Sequence, residues 1–280
     1  MTAGRLHVVA TPIGNIGDLA PRARAVLAAA ALIACEDTRR TGRLLELAGV
    51  ERRARLLRLD AHTEARAVDR ILAALGRGDD VALVSDAGTP GVSDPGTPVV
   101  AAAAAAGHPV VAVPGPSAAL AALTVSGLPT DRFTVEGFLP RRGAARAERL
   151  AQIASAPLTS VVFESPHRLL ALLDGLVARC GPGRRVAICR ELTKLHEETW
   201  RGELGGAAEA VGEPRGEYVV VVEAAWPEAV EDALVIDALH RHLAQGRTRR
   251  DAAQAVAAEL GVAPNRVKRL AATGGAGTDG

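Results

Sequence analysis

Six polar or glycine-rich segments hold the side chains that are able to do chemistry: TPIGNIGDL (11–19), EDTRRTG (36–42), VSDAGTPGVSDPG (84–96), PGPSAAL (114–120), ESPHR (164–168) and RELTKLHEE (190–198). Each follows a short apolar run of strand-like composition. The third segment is the most informative, with three glycines, two prolines and two Ser-Asp pairs between Val84 and Gly96. It contains neither G-x-x-x-x-G-K-[ST] nor G-x-G-x-x-G, so a ligand cradled there is not held as ATP or NAD is held. Taken alone, any of these segments reads as a loop that needs Gly and Pro to turn. Six in series, each after a strand, point instead to a crevice, because loops at the carboxyl ends of parallel strands share one edge of a sheet. The three cysteines, Cys35, Cys180 and Cys189, are far apart and lack C-x-x-C spacing. They read as buried thiols of a reducing compartment, and no metal site is expected.

The elements that must position these loops follow from the apolar patterning. Strand-like runs recur at RLHVVAT, ALIACE, VALVSD, PVVAVPG, TVEGFLP, SVVFES, RVAICREL and EYVVVVE, and helical patterns such as PRARAVLAAA, TEARAVDRILAALGRG and HRLLALLDGLVARC separate most of them. The alternation predicts an α/β protein with largely parallel strands. We expect an N-terminal α/β domain over 1–116, a second α/β domain over 117–225, and a helical extension over 226–280. The break in pattern falls at SGLPTDRF (126–133). AAWPEAVED (224–232) reads as a linker, GRTRRDAAQAVAAELGVAPNRVKRLAA (246–272) as two short helices around a turn, and TGGAGTDG (273–280) as a disordered tail.

With 280 residues the chain can bury a core without disulfides. Its longest apolar run, AVLAAAALIAC (25–35), falls short of the ~20 residues of a membrane helix, so a cytoplasmic protein is expected. The net charge of +1 argues against general affinity for nucleic acid, but the charge is unevenly spread. Seven arginines face four acids between Asp37 and Asp60, and seven Lys/Arg face two acids between Arg241 and Leu270. Aromatic residues make up 2% of the chain, which excludes an extended base-stacking platform; RNA contact would be electrostatic.

In this order, ATPIGNIGDL, CEDTRRTGRLL, LVSDAGTPGVSDPG, VPGPSAALAAL, SGLPTDRFTVEGFLPR, FESPHRLL and RELTKLHEE resemble the bacterial ribosomal small-subunit RNA cytidine 2'-O-methyltransferases, a branch of the tetrapyrrole methylase superfamily. The likeness runs from about Leu6 to Glu223. GTPGVSDPG and VPGPSA mark the superfamily, whereas CEDTRRTG, ESPHR and RELTKLHEE point to the branch. The resemblance implies two α/β domains of the tetrapyrrole methylase type with an S-adenosylmethionine cleft between them, usually in a homodimer. It further implies methylation of a cytidine ribose in small-subunit ribosomal RNA, with free RNA or the assembled small subunit as partner.

That donor carries no phosphate, which agrees with the absence of a P-loop. Gly88, Gly91 and Gly96 permit close backbone approach, and Pro90 and Pro95 restrain the loop. Asp86 is a candidate acceptor for donor hydroxyl or amino groups, and also reads as an Asx-turn residue. Ser117 and Ala118 open a helix whose free N–H groups suit the donor, Ser117 doubling as N-cap. Pro12, Thr89 and Phe163 are cleft-lining positions by resemblance.

In-line methyl transfer to a hydroxyl needs alignment and a proton acceptor but no metal. Glu36, Asp37 and Glu164, with His167, Glu191 and Glu197, are candidate bases, and Lys194 is a candidate to tune a neighbour or steer phosphate. Arg39, Arg40, Arg141, Arg142 and Arg190 are candidate RNA contacts, whereas Arg146 and Arg149 read more readily as a solvated helix face. The C-terminal helices resemble a helix-turn-helix but do not suffice for a DNA reader. Two rival readings remain: a corrin or sirohaem C-methyltransferase, and an RNA-binding ribosome-assembly factor without catalysis. Calorimetry with S-adenosylmethionine separates the second from an enzyme.

Overall fold

The structure is a computed structural model and describes residues 4–51, 54–59, 64–225, 232–260, 262 and 264–273. In the first half, strands β1 (Leu6–Val9), β2 (Leu32–Cys35), β3 (Arg55–Arg58), β4 (Val81–Leu83) and β5 (Val110–Val113) form one sheet in the order β3-β2-β4-β1-β5. All pairings are parallel. Helices α1 (Pro21–Ala29), α2 (Thr38–Leu47), α3 (Glu64–Gly76) and α4 (Thr97–Ala105) join them. The central strands are short apolar runs because both faces are covered: Leu27, Ile33, Cys35 and Leu45 cluster with α1 and α2, while Leu6, Ile71, Leu75 and Leu83 cluster with α3 and α4. The sequence reading omits β3. It is an edge strand with exposed Arg55 and Arg58 around buried Leu57, so locally it resembles a charged loop.

The second half holds α5 (Ala118–Ser126), β6 (Phe133–Phe138), α6 (Ala144–Ser155), β7 (Thr159–Glu164), α7 (Pro166–Cys180), β8 (Arg185–Arg190), β9 (Glu198–Glu203), α8 (Leu204–Val211) and β10 (Tyr218–Val222). Its sheet runs β6-β7-β10-β8-β9. Here the expectation of largely parallel strands is corrected: only β6 and β7 pair in parallel, and β7–β10, β10–β8 and β8–β9 are antiparallel. The reversal has one source. Residues 191–197 connect β8 to β9, too few for a crossover of a dozen or more residues, so β9 must turn back on β8. The helical crossovers α7 and α8 still join strands of equal direction, β7 with β8 and β9 with β10, and the two pairs interleave. Polar β9, at the sheet edge, is also missing from the sequence reading for the same reason as β3.

Helix α5 packs Ala119, Ala122 and Leu123 on Val161, Ala187, Cys189, Val219 and Val221 of the second sheet. The other sheet face is covered by Leu150, Ile153, Leu169, Leu172, Leu173, Leu176 and Leu204 of α6, α7 and α8. Helix α5 therefore shares the core of the second half.

The chain divides into a compact body up to Ala224 and a second compact unit from Ala225. The second unit contains α9 (Asp232–Ala244), α10 (Arg249–Leu260) and α11 (Pro264–Thr273), which bury Val235, Ala238, Leu239, Ala252, Val256 and Val267 among themselves. Most of the linker AAWPEAVED, and residues 274–280 of the tail, lie outside the described residues. No helix among the described residues is long and apolar enough to cross a membrane.

Candidate active site

The loop edges of the two sheets enclose a cavity of about 460 Å³, within the roughly 300–1,000 Å³ of small-molecule sites. The first half supplies Ile13 after β1 and Ala87, Gly88, Thr89, Val92, Ser93 and Asp94 after β4. Ser117 and Ala118 come from the start of α5, Phe138 from β6, and Phe163, Glu164, Ser165 and Pro166 from the β7–α7 junction. Cys189, Leu192, Glu217, Tyr218 and Val219 complete the wall. The Phe138 and Phe163 rings meet at 5.7 Å and 60°, a tilted pair that leaves Phe138 60% exposed.

Of the cofactor-binding candidates, Gly88, Thr89, Ser117, Ala118 and Phe163 line this cavity, while Pro12 and Asp86 do not. Gly88 has φ +82° and is pinned by reciprocal hydrogen bonds: its N–H donates to the Thr11 carbonyl at 3.0 Å, and Thr11 N–H donates to the Gly88 carbonyl at 2.8 Å. Thr89 Oγ1 donates to the Pro116 carbonyl at 3.2 Å, tying the β4 loop to the entry of α5. Ser117 is the N-cap of α5, its side chain accepting from Leu120 N–H at 3.5 Å, and it also lines the cavity.

Pro12 and Asp86 instead line a neighbouring depression of about 490 Å³ with Gly14, Arg39, Arg40 and Arg43. Asp86 links two loops: its carboxylate accepts from Asp37 N–H and Arg40 Nη1, each at 3.2 Å, and its own N–H donates to Glu36 Oε1 at 3.3 Å. Asp37 N-caps α2 by accepting from the Arg39 and Arg40 N–H groups, and the Arg39 hydrogen bond holds its carboxyl below the usual range. Burial pushes Glu36 up, against the hydrogen bond from Asp86. Asp94, absent from the sequence candidates, is also raised by burial, with Ser85 opposing through a hydrogen bond and Asp86 adding repulsion.

Glu164 lies at the cavity wall with its side chain fully buried. Its carboxylate accepts from Ser165 N–H at 2.9 Å and faces Arg168 at 3.3 Å and Arg146 at 3.7 Å. Both arginines also donate to the Pro140 carbonyl, so this cluster anchors the end of β6 to β7. Arg146 is therefore not on a solvated face: its side chain is 13% exposed. Arg149 pairs with Glu136. Arg141 and Arg142 are exposed in the turn after β6 and line neither space; Arg190 is held by Glu198 and by the Arg215 carbonyl.

Lys194 Nζ donates to Glu191 at 2.8 Å and Glu217 at 2.9 Å. Burial pulls Lys194 down, but these hydrogen bonds outweigh it and the net shift is upward. The Lys194 hydrogen bond holds Glu191 below its ordinary 4.5. A lowered carboxylate contributes stability that is present above its unfolded value and lost as pH falls through the folded one. Glu191→Gln should therefore be less stable than the parent near neutral pH, with the difference closing as pH drops below 4.5. Urea unfolding across that range checks it; a difference independent of pH would show that the lost charge is not the cause.

The sequence reading missed Glu217, Tyr218 and Val219 because it sought chemistry only after strands. Antiparallel β10 brings its amino end to the same edge as the carboxyl ends of β7 and β8. Ser93 and Asp94 lay within the quoted motif, and the second Ser-Asp pair was the available signal. Among the described residues no three His, Cys, Asp or Glu side chains gather as a metal site.

A parallel and a mixed sheet whose loop edges enclose one largely apolar cavity define a two-half α/β protein for a small organic ligand, with an arginine-lined depression beside it. The chain belongs to the Tetrapyrrole (Corrin/Porphyrin) Methylases, matching that family over residues 5–208. It is 48% identical over 228 residues to the Ribosomal RNA small subunit methyltransferase I of Xylella fastidiosa, covering 80% of this chain and 83% of the relative. It is 46% identical over 259 residues to the protein of the same name from Mycobacterium tuberculosis, covering 92% and 90%. In fold it is similar to a uroporphyrin-III C-methyltransferase of Thermus thermophilus crystallised with S-adenosylhomocysteine, with a TM-score of 0.55, 22% identity, and coverage of 79% and 97%.

Proposed function

We propose that this protein is an S-adenosylmethionine-dependent methyltransferase that modifies the 2'-hydroxyl of a cytidine in small-subunit ribosomal RNA. The observation that carries the reading is the pairing of a donor-sized apolar cavity with an adjoining depression lined by Arg39, Arg40 and Arg43. The relatives at 46–48% identity are named for small-subunit ribosomal RNA, which favours RNA over a tetrapyrrole. The residues present fit the donor: apolar walls, N–H groups at the start of α5, and a glycine backbone with positive φ at Gly88 on the cavity wall. When bound, S-adenosylmethionine supplies an electrophilic methyl group on a sulfonium.

The chain's own part is positioning and proton acceptance. Asp94, which lines the cavity and whose carboxyl burial raises, is the candidate to accept the hydroxyl proton; Glu36, raised likewise, lines neither space and accepts from Asp86 N–H. Glu164 and Lys194 are engaged in ion pairs and serve the architecture of the cleft. Arg39 is 92% and Arg40 73% exposed, which suits phosphate contact. A homodimer is supported by exposed apolar residues on β6 and α5, namely Phe133, Val135 and Leu120.

The test is incubation with methyl-labelled donor and either assembled small subunits or naked ribosomal RNA, followed by mapping of the modified nucleotide. Label on a cytidine ribose supports the reading. Donor binding without transfer to either RNA form sinks it.

The helical extension fits an RNA arm. Arg241 and Arg266 are paired with Glu259 and Asp232, but Arg247, Arg249 and Arg250 are exposed around the start of α10. Its apolar residues are buried among its own three helices. Deleting residues 227–280 should leave donor affinity nearly unchanged, weaken RNA or subunit binding, and flatten its salt dependence. Equal salt slopes before and after deletion would remove the arm from RNA binding.

A further inference from the structure

The RELTK loop carries a backbone conformation that its sequence does not favour. Among the described residues only three non-glycine residues have positive φ, and two are here: Glu191 at 49° and Thr193 at 67°. For a β-branched residue this is a costly conformation, and it persists only where surrounding contacts enforce it. Thr193 Oγ1 is, in addition, buried without a hydrogen-bond partner. The loop is held by Lys194 N–H donating to the Glu191 carbonyl at 2.9 Å and Thr193 N–H donating to Glu197 at 2.7 Å.

The strained loop delivers Lys194 to one place. Its ammonium joins Glu191 to Glu217, and its stem lies on Gly14 of the β1 loop, in the opposite half of the body. A Cβ at Gly14 would collide with Lys194 Cγ and stand 3.0 Å from Thr193 Oγ1. Gly14 lines the arginine depression, its neighbour Ile13 lines the donor cavity, and Leu192 and Glu217 line that cavity from the other side. Lys194 therefore sits at the seam between the two spaces.

We infer that Lys194 is a positioning residue: clasped by Glu191 and Glu217, it presses on Gly14 and fixes the β1 loop between donor and acceptor, setting their alignment. The inference rests on the methyltransferase reading above. Alignment acts on turnover more than on ground-state binding, and a displacement of about 1 Å costs on the order of 100-fold in rate.

The experiment measures kcat, KM for small subunits and donor Kd by calorimetry for the full chain and for Lys194→Ala, Lys194→Met, Gly14→Ala and the Gly14→Ala/Lys194→Ala double variant. Lys194→Ala should lower kcat by roughly 10- to 100-fold while donor Kd moves less than about threefold. Lys194→Met keeps the stem on Gly14 and should recover part of the loss. Gly14→Ala should lower kcat alone, yet the added methyl should cost less once Lys194 is truncated, so the two changes are not additive. Unchanged kcat in Lys194→Ala overturns the inference, and so does equal loss of kcat, donor affinity and thermal stability, or strict additivity in the double variant. A parent enzyme that transfers no label to RNA defeats the functional reading itself, and that outcome is visible before any variant is made.

Discussion

Gly88→Val should abolish most donor binding while leaving the fold in place. Gly88 sits at φ +82°, a region costly for a side chain and most costly for a β-branched one. Its N–H and carbonyl are both committed to Thr11, so the backbone is not free to relax. An added Cβ would stand 3.5 Å from Ile13 Cγ2, and the valine methyls would project further among residues that line the cavity. We expect donor Kd to rise at least about tenfold, equivalent to ~1.4 kcal/mol, with the far-ultraviolet circular dichroism unchanged. Asp86→Ala should weaken binding less, because Asp86 lines the neighbouring depression and reaches the cavity only through the loops it ties. Undiminished affinity in a folded Gly88→Val protein would remove the β4 loop from the donor site.

Glu164→Ala should produce the largest loss of stability of any single change in the cleft. The carboxylate is fully buried, and Arg146 and Arg168 face it with side-chain exposures of 13% and 26%. Removing it leaves two guanidinium groups without their counter-charge in a poorly hydrated place, for which ~3–5 kcal/mol is typical. In a chain of this size that lowers Tm by on the order of 10 °C. Adding Arg146→Met to Glu164→Ala should restore part of the loss, since one stranded charge is then gone. Thermal unfolding of the two variants decides it. A Glu164→Ala protein of parental stability but without turnover would instead return Glu164 to the catalytic candidates.

Both expectations show how unevenly the sequence disclosed the site. Gly88, Ser117 and Ala118 were legible because loop glycines and helix caps are local signals, whereas Thr89 and Phe163 entered only through the family resemblance. The Glu164–Arg146 and Lys194–Glu217 pairs were not legible, because an ion pair between residues distant in sequence has no local signature. Arg146 on α6 reads as a surface arginine until β7 places Glu164 beneath it.

By itself the sequence determined the α/β alternation, loops that line the cavity, the family likeness and the uneven charge, all of which rest on composition and short-range spacing. Only the tertiary structure decided strand direction in the second sheet, where the short 191–197 connection forces a hairpin and antiparallel β10 brings Glu217 and Tyr218 into the cleft. It also decided which charges are spent on one another and which stay exposed. Direction and pairing depend on which distant segments pack together, and burial, unlike propensity, is a property of the assembled chain.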